Sequence, residues 1–420
     1  MWYLLTAKLG ESHKPEWHMP FKGTNLFAQI IDLADRPAFH QIVRKYAGDW
    51  RAKGFSCWDQ FVSMLFCQLG KAQSLREICG GLASSTGKLN HLGLSAGPRR
   101  TTLAYANEHR PWKIYQEMFY HLLDHARTYE WGKHKLRFKN KLFSMDATVI
   151  DLSLGMFNWA HFRRAKGAVK LHLVLDHEGY LPTFAHITEG KVPEVRAANR
   201  VITEDFPFPA GSIVVFDKGY TDLGLYNRWC EEDVTFVTRL KENARYDVVR
   251  RLTCPHHRGV LRDEIIVFRH FRTHKKCPHQ LRRIEVWDAE NEQTLVFLTN
   301  HLTFGATTIA AIYKERWQIE IFFKLIKQNL RIKTFVGTSL NALQIQIWTA
   351  LIAILLLKIL KLKSTFAWSM SNLVAMLRFN LFTYRDLWEW LNEPFQTPPG
   401  DIDSLQLSFF PTALGQHTQG

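Results

Sequence analysis

Acidic residues are in short supply in this chain: 39 Asp and Glu stand against 54 Lys and Arg, and the formal net charge over 420 residues is +15. That imbalance argues against a basic partner and favours a polyanion, with nucleic acid ahead of an anionic membrane surface. Cysteine is also sparse. Cys57, Cys67, Cys79, Cys230, Cys254 and Cys277 show no repeated short spacing, which excludes a disulfide scaffold and fits a reducing cytoplasm. Long apolar runs are nearly lacking. Ile345 to Leu357 comes closest, but Gln346 interrupts it and Lys358 closes it, short of the roughly 20 residues that span a bilayer. It reads as a buried helix, and no membrane partner is expected. In the opening MWYLLTAKLGESHKPEWH the apolar stretch is too short for a signal-peptide core and no small-residue cleavage site follows it, so export is not expected.

What is present divides by rhythm. Residues 1–22 form an untidy leader, expected to be poorly ordered. Over 23–135 apolar residues recur at helical intervals, as at Phe61, Met64, Leu65 and Leu69, with Gly80-Gly81 and Gly97-Pro98 as breaks, so this part is all-α. Arg99-Arg100-Thr101-Thr102 precedes one of its helical patterns. That layout suits phosphate at a helix N-terminus, and it equally suits a capped surface helix. Within 136–365 the pattern turns to short strands. Leu142 to Thr148 alternates, with Ser144, Asp146 and Thr148 on one face. Val169 to Leu175 and Tyr180 to Ile187 flank the hairpin turn Asp176-His177-Glu178-Gly179. Glu194 to Asp205 looks helical, and Ser212 to Phe216 is an apolar strand buried on both faces. Ile265 to Phe268, Arg283 to Trp287 and Thr294 to Leu298 make a β-rich insertion at about 241–300, before a helical pattern from near Thr307. Residues 366–420 are a C-terminal helical region and tail.

The segment YKERWQIEIFFKLIK, from Tyr313 to Lys327, is the most informative. At about 100° per residue, Tyr313, Arg316, Glu320, Lys324 and Lys327 share an arc of roughly 80° on one helix. Ile319, Phe322, Phe323 and Ile326 occupy the arc that packs on a sheet. A solvated, salt-bridged face would give a similar pattern. Against it stand one acid for three bases and a phenol with no salt-bridge role. Arg316 and Lys327 are therefore expected to face solvent or phosphate. Asp217 ends the apolar strand Ile213-Val214-Val215-Phe216, where an unpaired acid is costly. Hydrolysis of phosphodiesters by metal ions needs hard oxygen ligands from several elements, and Asp146, Asp217 and Glu320 would supply them.

The spacing Y-x2-R-x3-E-x6-K at Tyr313, Arg316, Glu320 and Lys327 resembles the signature of the insertion-sequence transposases of the four family, a branch of the DDE transposases. RWQIEIFFKLIKQNLRIKTFVGTS is similar to that family's C-terminal motif, SMDATVIDLSL and VVFDKGYTD to the segments bearing its first and second aspartates. FSCWDQFVSMLFCQLGKAQSLREI and RRTTLAYANEHRPW are similar to a helical domain found in one branch. The resemblance implies an α/β fold: a ribonuclease H-like catalytic domain with a β-rich insertion, plus the all-α N-terminal domain. It implies Asp146, Asp217 and Glu320 as catalytic metal ligands for two Mg²⁺ or Mn²⁺ ions. By the same resemblance Tyr313, Arg316 and Lys327 contact DNA; Lys324, Arg331, Arg99 and Arg100 are added to that set as nearby cations. The implied reaction is strand cleavage at terminal inverted repeats and strand transfer into target DNA, by a homodimer in a synaptic complex. A catalytically inactive DNA-binding relic is the alternative. The sequence departs from the family pattern at Val192-Pro193-Glu194-Val195, where relatives commonly carry a His-Asp pair, and at Lys218, where they carry Arg.

Three other constellations are weaker. Cys254-Pro255-His256-His257 with His274 and Cys277-Pro278-His279 raises zinc, but the spacing matches no standard finger, and a pair of polar loops is the plainer reading. Asp146 with Asp151 as a glycosidase pair explains neither the charge nor the helix ridge. Trp50, Trp58, Trp112 and Trp159 read as core or interface residues rather than base-stacking platforms.

Overall fold

Short polar side chains open the first helices by satisfying N–H groups that have no intrahelical acceptor. Asn25 caps α1 (Leu26–Asp32), Asp35 caps α2 (Arg36–Lys45), Ser56 caps α3 (Cys57–Leu69) in a reciprocal box with Asp59, and Ser74 caps α4 (Leu75–Ser84). α5 (Arg100–His109) and α6 (Lys113–Arg127) follow. The computed structural model describes residues 23–132, 136, 138–152, 167–189, 206–254, 256–330 and 336–396. The expected leader, the helical stretch from Glu194 to Asp205, the departure at 192–195, Trp159 and Arg331 lie outside those residues.

The strand rhythm becomes an antiparallel meander of β1 (Leu142–Leu152), β2 (Gly167–Asp176) and β3 (Leu181–Glu189). β4 (Ile213–Phe216) returns parallel to β1 and is followed by α7 (Leu223–Glu231) and by β5 (Thr235–Arg239), parallel to β4. β4 is apolar throughout because it is central, with both faces covered. The chain then builds β6 (Tyr246–Arg251), β7 (Val260–Phe268), the short α8 (Phe271–Lys276), β8 (Leu281–Asp288) and β9 (Gln293–Thr299). These strands continue the same sheet, which has the order β3-β2-β1-β4-β5-β9-β8-β7-β6. Each apolar piece read as a strand between Ile265 and Leu298 falls inside β7, β8 or β9.

Alternation along β1 assigns its two faces. Phe143 and Met145 join the core beneath α7, together with Phe216, Tyr226 and Trp229. Leu142 joins the opposite core, beneath α9 (Ala306–Glu315), with Val215, Ile309 and Ile312. α10 (Trp317–Asn329) lays Ile319, Phe322, Phe323 and Ile326 into the cluster that also holds Leu171 and Leu173 of β2. Beyond it run α11 (Leu340–Lys363), α12 (Met370–Asn380) and α13 (Leu387–Asn392).

α11 contains the apolar run and extends well past it. By length and composition it could cross a membrane, yet 94% of its apolar window is buried by protein. α3, α5, α6, α12 and β3 pack around it, so Gln344, Gln346 and Thr349 are buried with the aliphatic residues. The first and last described helices meet as well. Leu26 and Phe27 N–H groups donate to the Thr383 and Leu381 carbonyls at 3.0 and 2.8 Å, and the Gln29 amide donates to the Arg385 carbonyl at 2.8 Å. Helices from both ends of the chain thus share one hydrophobic cluster.

Candidate active site

β1 runs parallel to β4 with Met145 opposite Phe216. Asp146 and Asp217 each follow one of these paired residues, so the register sets the two acids side by side at the carboxyl end of β4. Asp217 has left the strand for a single 3-10 turn, Lys218–Tyr220, whose Tyr220 N–H donates to the Asp217 carbonyl at 3.1 Å. In sheets of this kind, ligands bind just beyond the carboxyl ends of parallel strands.

The helical pattern from Thr307 to Lys327 is not one helix. α9 ends at Glu315, α10 begins at Trp317, and Arg316 caps both with φ −51° and ψ −31°. No Gly or Pro marks the break. The junction turns Arg316 inward, leaving its side chain 15% exposed. Its guanidinium donates from Nη1 to Asp146 Oδ2 at 3.3 Å and from Nη2 to Glu320 Oε1 at 2.6 Å. Tyr313 lies 5.7 Å from that guanidinium and packs on Phe297, ring centroids 4.9 Å apart. Burial raises the Tyr313 phenol above its ordinary range, the adjacent arginine opposing. Of the expectation that Arg316 faces solvent or phosphate, the solvent half is corrected: Arg316 is the half-buried counter-ion of two acids. Its buried Nε has no hydrogen-bond partner.

Lys327 has protein partners as well. Its Nζ donates to Thr148 Oγ1 and, at 2.9 Å, to the Val149 carbonyl. Lys324 is exposed on the same side of α10. Both lysines line a groove with Asp146, Thr148 and Glu320. Arg99 and Arg100 are exposed at the N-terminus of α5, which has no side-chain cap and no acid in its first turn; α5 packs against α4 and α11.

Burial is the largest influence on the Asp146 carboxyl and pushes it up to about 6. The Ala147 N–H and Arg316 pull it down, while Glu320 and Asp217 push it further up. Glu320 and Asp217 are therefore both near enough to Asp146 to disfavour its charged form. Among the described residues no group of three His, Cys, Asp or Glu side chains stands close enough to share one ion. The cation between Asp146 and Glu320 is Arg316. The donor set is nevertheless all carboxylate oxygen, the hard chemistry that suits Mg²⁺ or Mn²⁺.

The zinc reading gains nothing here. Cys277 is buried, with its thiol pushed up to about 11, first by burial, and Cys254 is half-buried. Trp58 is in the core, donating to the Leu92 carbonyl at 3.0 Å. Trp112 is half-buried against that core. Trp50 is not a core residue: it is 75% exposed beneath Arg51. Sequence reasoning missed the pairing of Arg316 with Asp146 and of Lys327 with Thr148. The signal lay in β1 alternation, which puts Ser144, Asp146 and Thr148 on one face.

A family model described as a transposase DDE domain matches residues 137–356, and one described as a domain of unknown function matches residues 22–95. A Sinorhizobium fredii protein named as a transposase is 33% identical over 290 residues, covering 67% of this chain and 78% of that one. A Geobacillus stearothermophilus protein, named as a transposase for an insertion-sequence element, is 28% identical over 54% of this chain and 58% of its own length. A Synechocystis protein named in the same terms is 24% identical over 60% and 70%. Among solved structures, a piggyBac transposase synaptic complex with hairpin DNA aligns over 94% of this chain and 85% of that one. Its TM-score of 0.41 and 9% identity are too low to equate the two folds.

Proposed function

The chain belongs to the insertion-sequence transposases that carry a DDE domain, and from that premise we propose that it cuts DNA at terminal inverted repeats and joins the freed ends to target DNA. One observation carries the reading. Asp146 lies in register beside Asp217 and is linked through Arg316 to Glu320, which are the three acids of the family signature.

The sheet order β3-β2-β1-β4-β5, with β2 antiparallel to β1 and β4 and β5 parallel to it, supports a ribonuclease H-like domain over 136–365. β6 to β9 are then its insertion, and 23–135 a helical DNA-binding domain. DDE domains generally act with divalent metal. Two Mg²⁺ or Mn²⁺ ions, when bound by Asp146, Asp217 and Glu320, supply Lewis acidity to the phosphodiester and an acidified water.

The chain's own residues do the rest. Arg316 keeps Asp146 and Glu320 compensated while no metal is held, so the acids stay folded against one another instead of repelling. Burial disfavours the Asp146 carboxylate, and a nearby positive charge would favour it. Lys324, exposed along the groove, meets a phosphate oxygen, and Lys327 and Thr148 hold the β1 wall of the groove beside it. The surplus of Lys and Arg gathers DNA ahead of contact. Synapsis of two ends by a homodimer and action in the cytoplasm belong to the same proposal.

The test is a labelled end fragment incubated with purified protein and Mg²⁺. Nicking that depends on metal and disappears in Asp146→Ala, Asp217→Ala and Glu320→Ala supports the enzyme. Sequence-specific binding by the parent with no cleavage in Mg²⁺ or Mn²⁺ would overturn it in favour of a DNA-binding relic.

A further inference from the structure

β1 presents three polar side chains to the elements that carry the site. Asp146 meets Arg316, Thr148 meets Lys327, and the third, Ser144, meets His177. Ser144 Oγ is 2.6 Å from His177 Nε2, and the imidazole is wholly buried. Its other nitrogen, Nδ1, makes no hydrogen bond and faces Glu315 Oε2 at 3.7 Å. Glu315 is the last residue of α9, directly before the arginine that joins Asp146 to Glu320. The ring therefore stands between the strand bearing the first acid and the junction bearing the third. The direction of the Ser144–His177 hydrogen bond follows the ring tautomer, and Nδ1 stands 3.7 Å from the Glu315 carboxylate, within ion-pair reach but beyond a hydrogen bond. A buried ring nitrogen without a hydrogen bond favours a carboxylate kept close to it, because moving that group away leaves the nitrogen uncompensated.

The turn that delivers His177 is fixed from two sides. Gly179 has φ +71°, and a Cβ there would lie 2.4 Å from the Trp131 ring. Tyr180, next in the chain, also has positive φ, +53°. Lys358 Nζ, reaching from α11, donates to the Gly179 carbonyl at 2.9 Å and lies 5.9 Å from the Phe322 ring of α10. The His177 N–H itself donates to the Leu142 carbonyl at 3.0 Å. Strand, turn and helices thus leave the ring little freedom to move away from Glu315.

We infer that His177 is a positioning residue for the reaction: through Ser144 and Glu315 it sets the α9–α10 junction against β1, at the height that places Arg316 between Asp146 and Glu320. The catalytic part rests on the cleavage reading proposed above; the contact itself does not.

The parent, His177→Phe, Glu315→Gln and the double variant are compared in single-turnover cleavage of a labelled end fragment with Mg²⁺. End-DNA affinity and thermal melting are measured alongside, and the His177 ring is followed by nitrogen NMR in the parent and in Glu315→Gln. Each single variant is expected to cleave about tenfold more slowly at unchanged end affinity, with the double no slower than the worse single. The His177 ring resonances are expected to move in Glu315→Gln. Parental rates in either single variant, losses that multiply in the double, or ring resonances that stay put would overturn the inference. Should His177→Phe fail to fold, Glu315→Gln carries the test, because its side chain is 24% exposed. A parent that cuts no end fragment defeats the cleavage reading instead, and the ring resonances then decide the contact alone.

Discussion

Lys327 Nζ donates to the Val149 backbone carbonyl at 2.9 Å, so the basic end of α10 is tied to β1 as well as facing the groove. The same ammonium also holds the Thr148 hydroxyl. Lys327→Ala is therefore expected to lower stability by about 1 kcal/mol in addition to slowing cleavage. Urea unfolding of the metal-free protein reads this directly; a midpoint equal to the parent's would show that the tie contributes nothing.

Arg316 occupies the space between two acids that a divalent ion would need to approach. Arg316→Ala removes a fixed positive charge from that space, and Mn²⁺ should then bind the free protein about tenfold more tightly. Cleavage should nonetheless fall, because the junction loses its link to Asp146. Calorimetric titration with Mn²⁺ separates the two effects, and weaker binding in the variant would contradict the counter-ion role.

The Asp146 carboxyl, raised to about 6 in the folded chain from 3.8, binds its proton more tightly folded than unfolded. Its favourable contribution is thus fully present below about pH 4 and lost as pH rises through about 6. Compared with Asp146→Asn, the metal-free parent should lose melting temperature across that window and be the less stable of the two above it. Melting scans from about pH 4 to 7 test the sign; a gap that does not change with pH would refute it.

Much of this was legible in the residues. β1, β4 and the apolar parts of β7 to β9 announce themselves because one or both faces are buried, and burial writes alternation or a solid apolar run into the text. β6 does not, since Tyr246–Arg251 is an edge strand exposed along most of its length, with no buried face to impose a period. The break at Arg316 was equally hidden. Its backbone stays in the helical region, and what turns the side chain inward is a carboxylate on β1, far away in the sequence. Periodicity could rank Glu320 among cations on one ridge, but only the parallel register of β1 and β4 shows which acid stands beside which. The three acids were read from the residues and from family likeness; that Arg316 bridges Asp146 and Glu320 came from the fold.

Gly179 offers a test of the turn apart from catalysis. Its φ of +71° and the Trp131 ring 2.4 Å from a would-be Cβ leave an alanine strained and colliding. Gly179→Ala should cost at least about 2 kcal/mol of stability, and denaturant unfolding that shows a loss well under half of that would mean the turn yields more easily than its geometry suggests.

Helix α11 has one more consequence. Because the early helices and the closing ones both wrap the same greasy rod, neither set has a finished interior without the other. A copy of the gene cut short by a frameshift just after this helix would expose it to water, and the product should clump or be degraded even though every acid of the active centre had been faithfully translated.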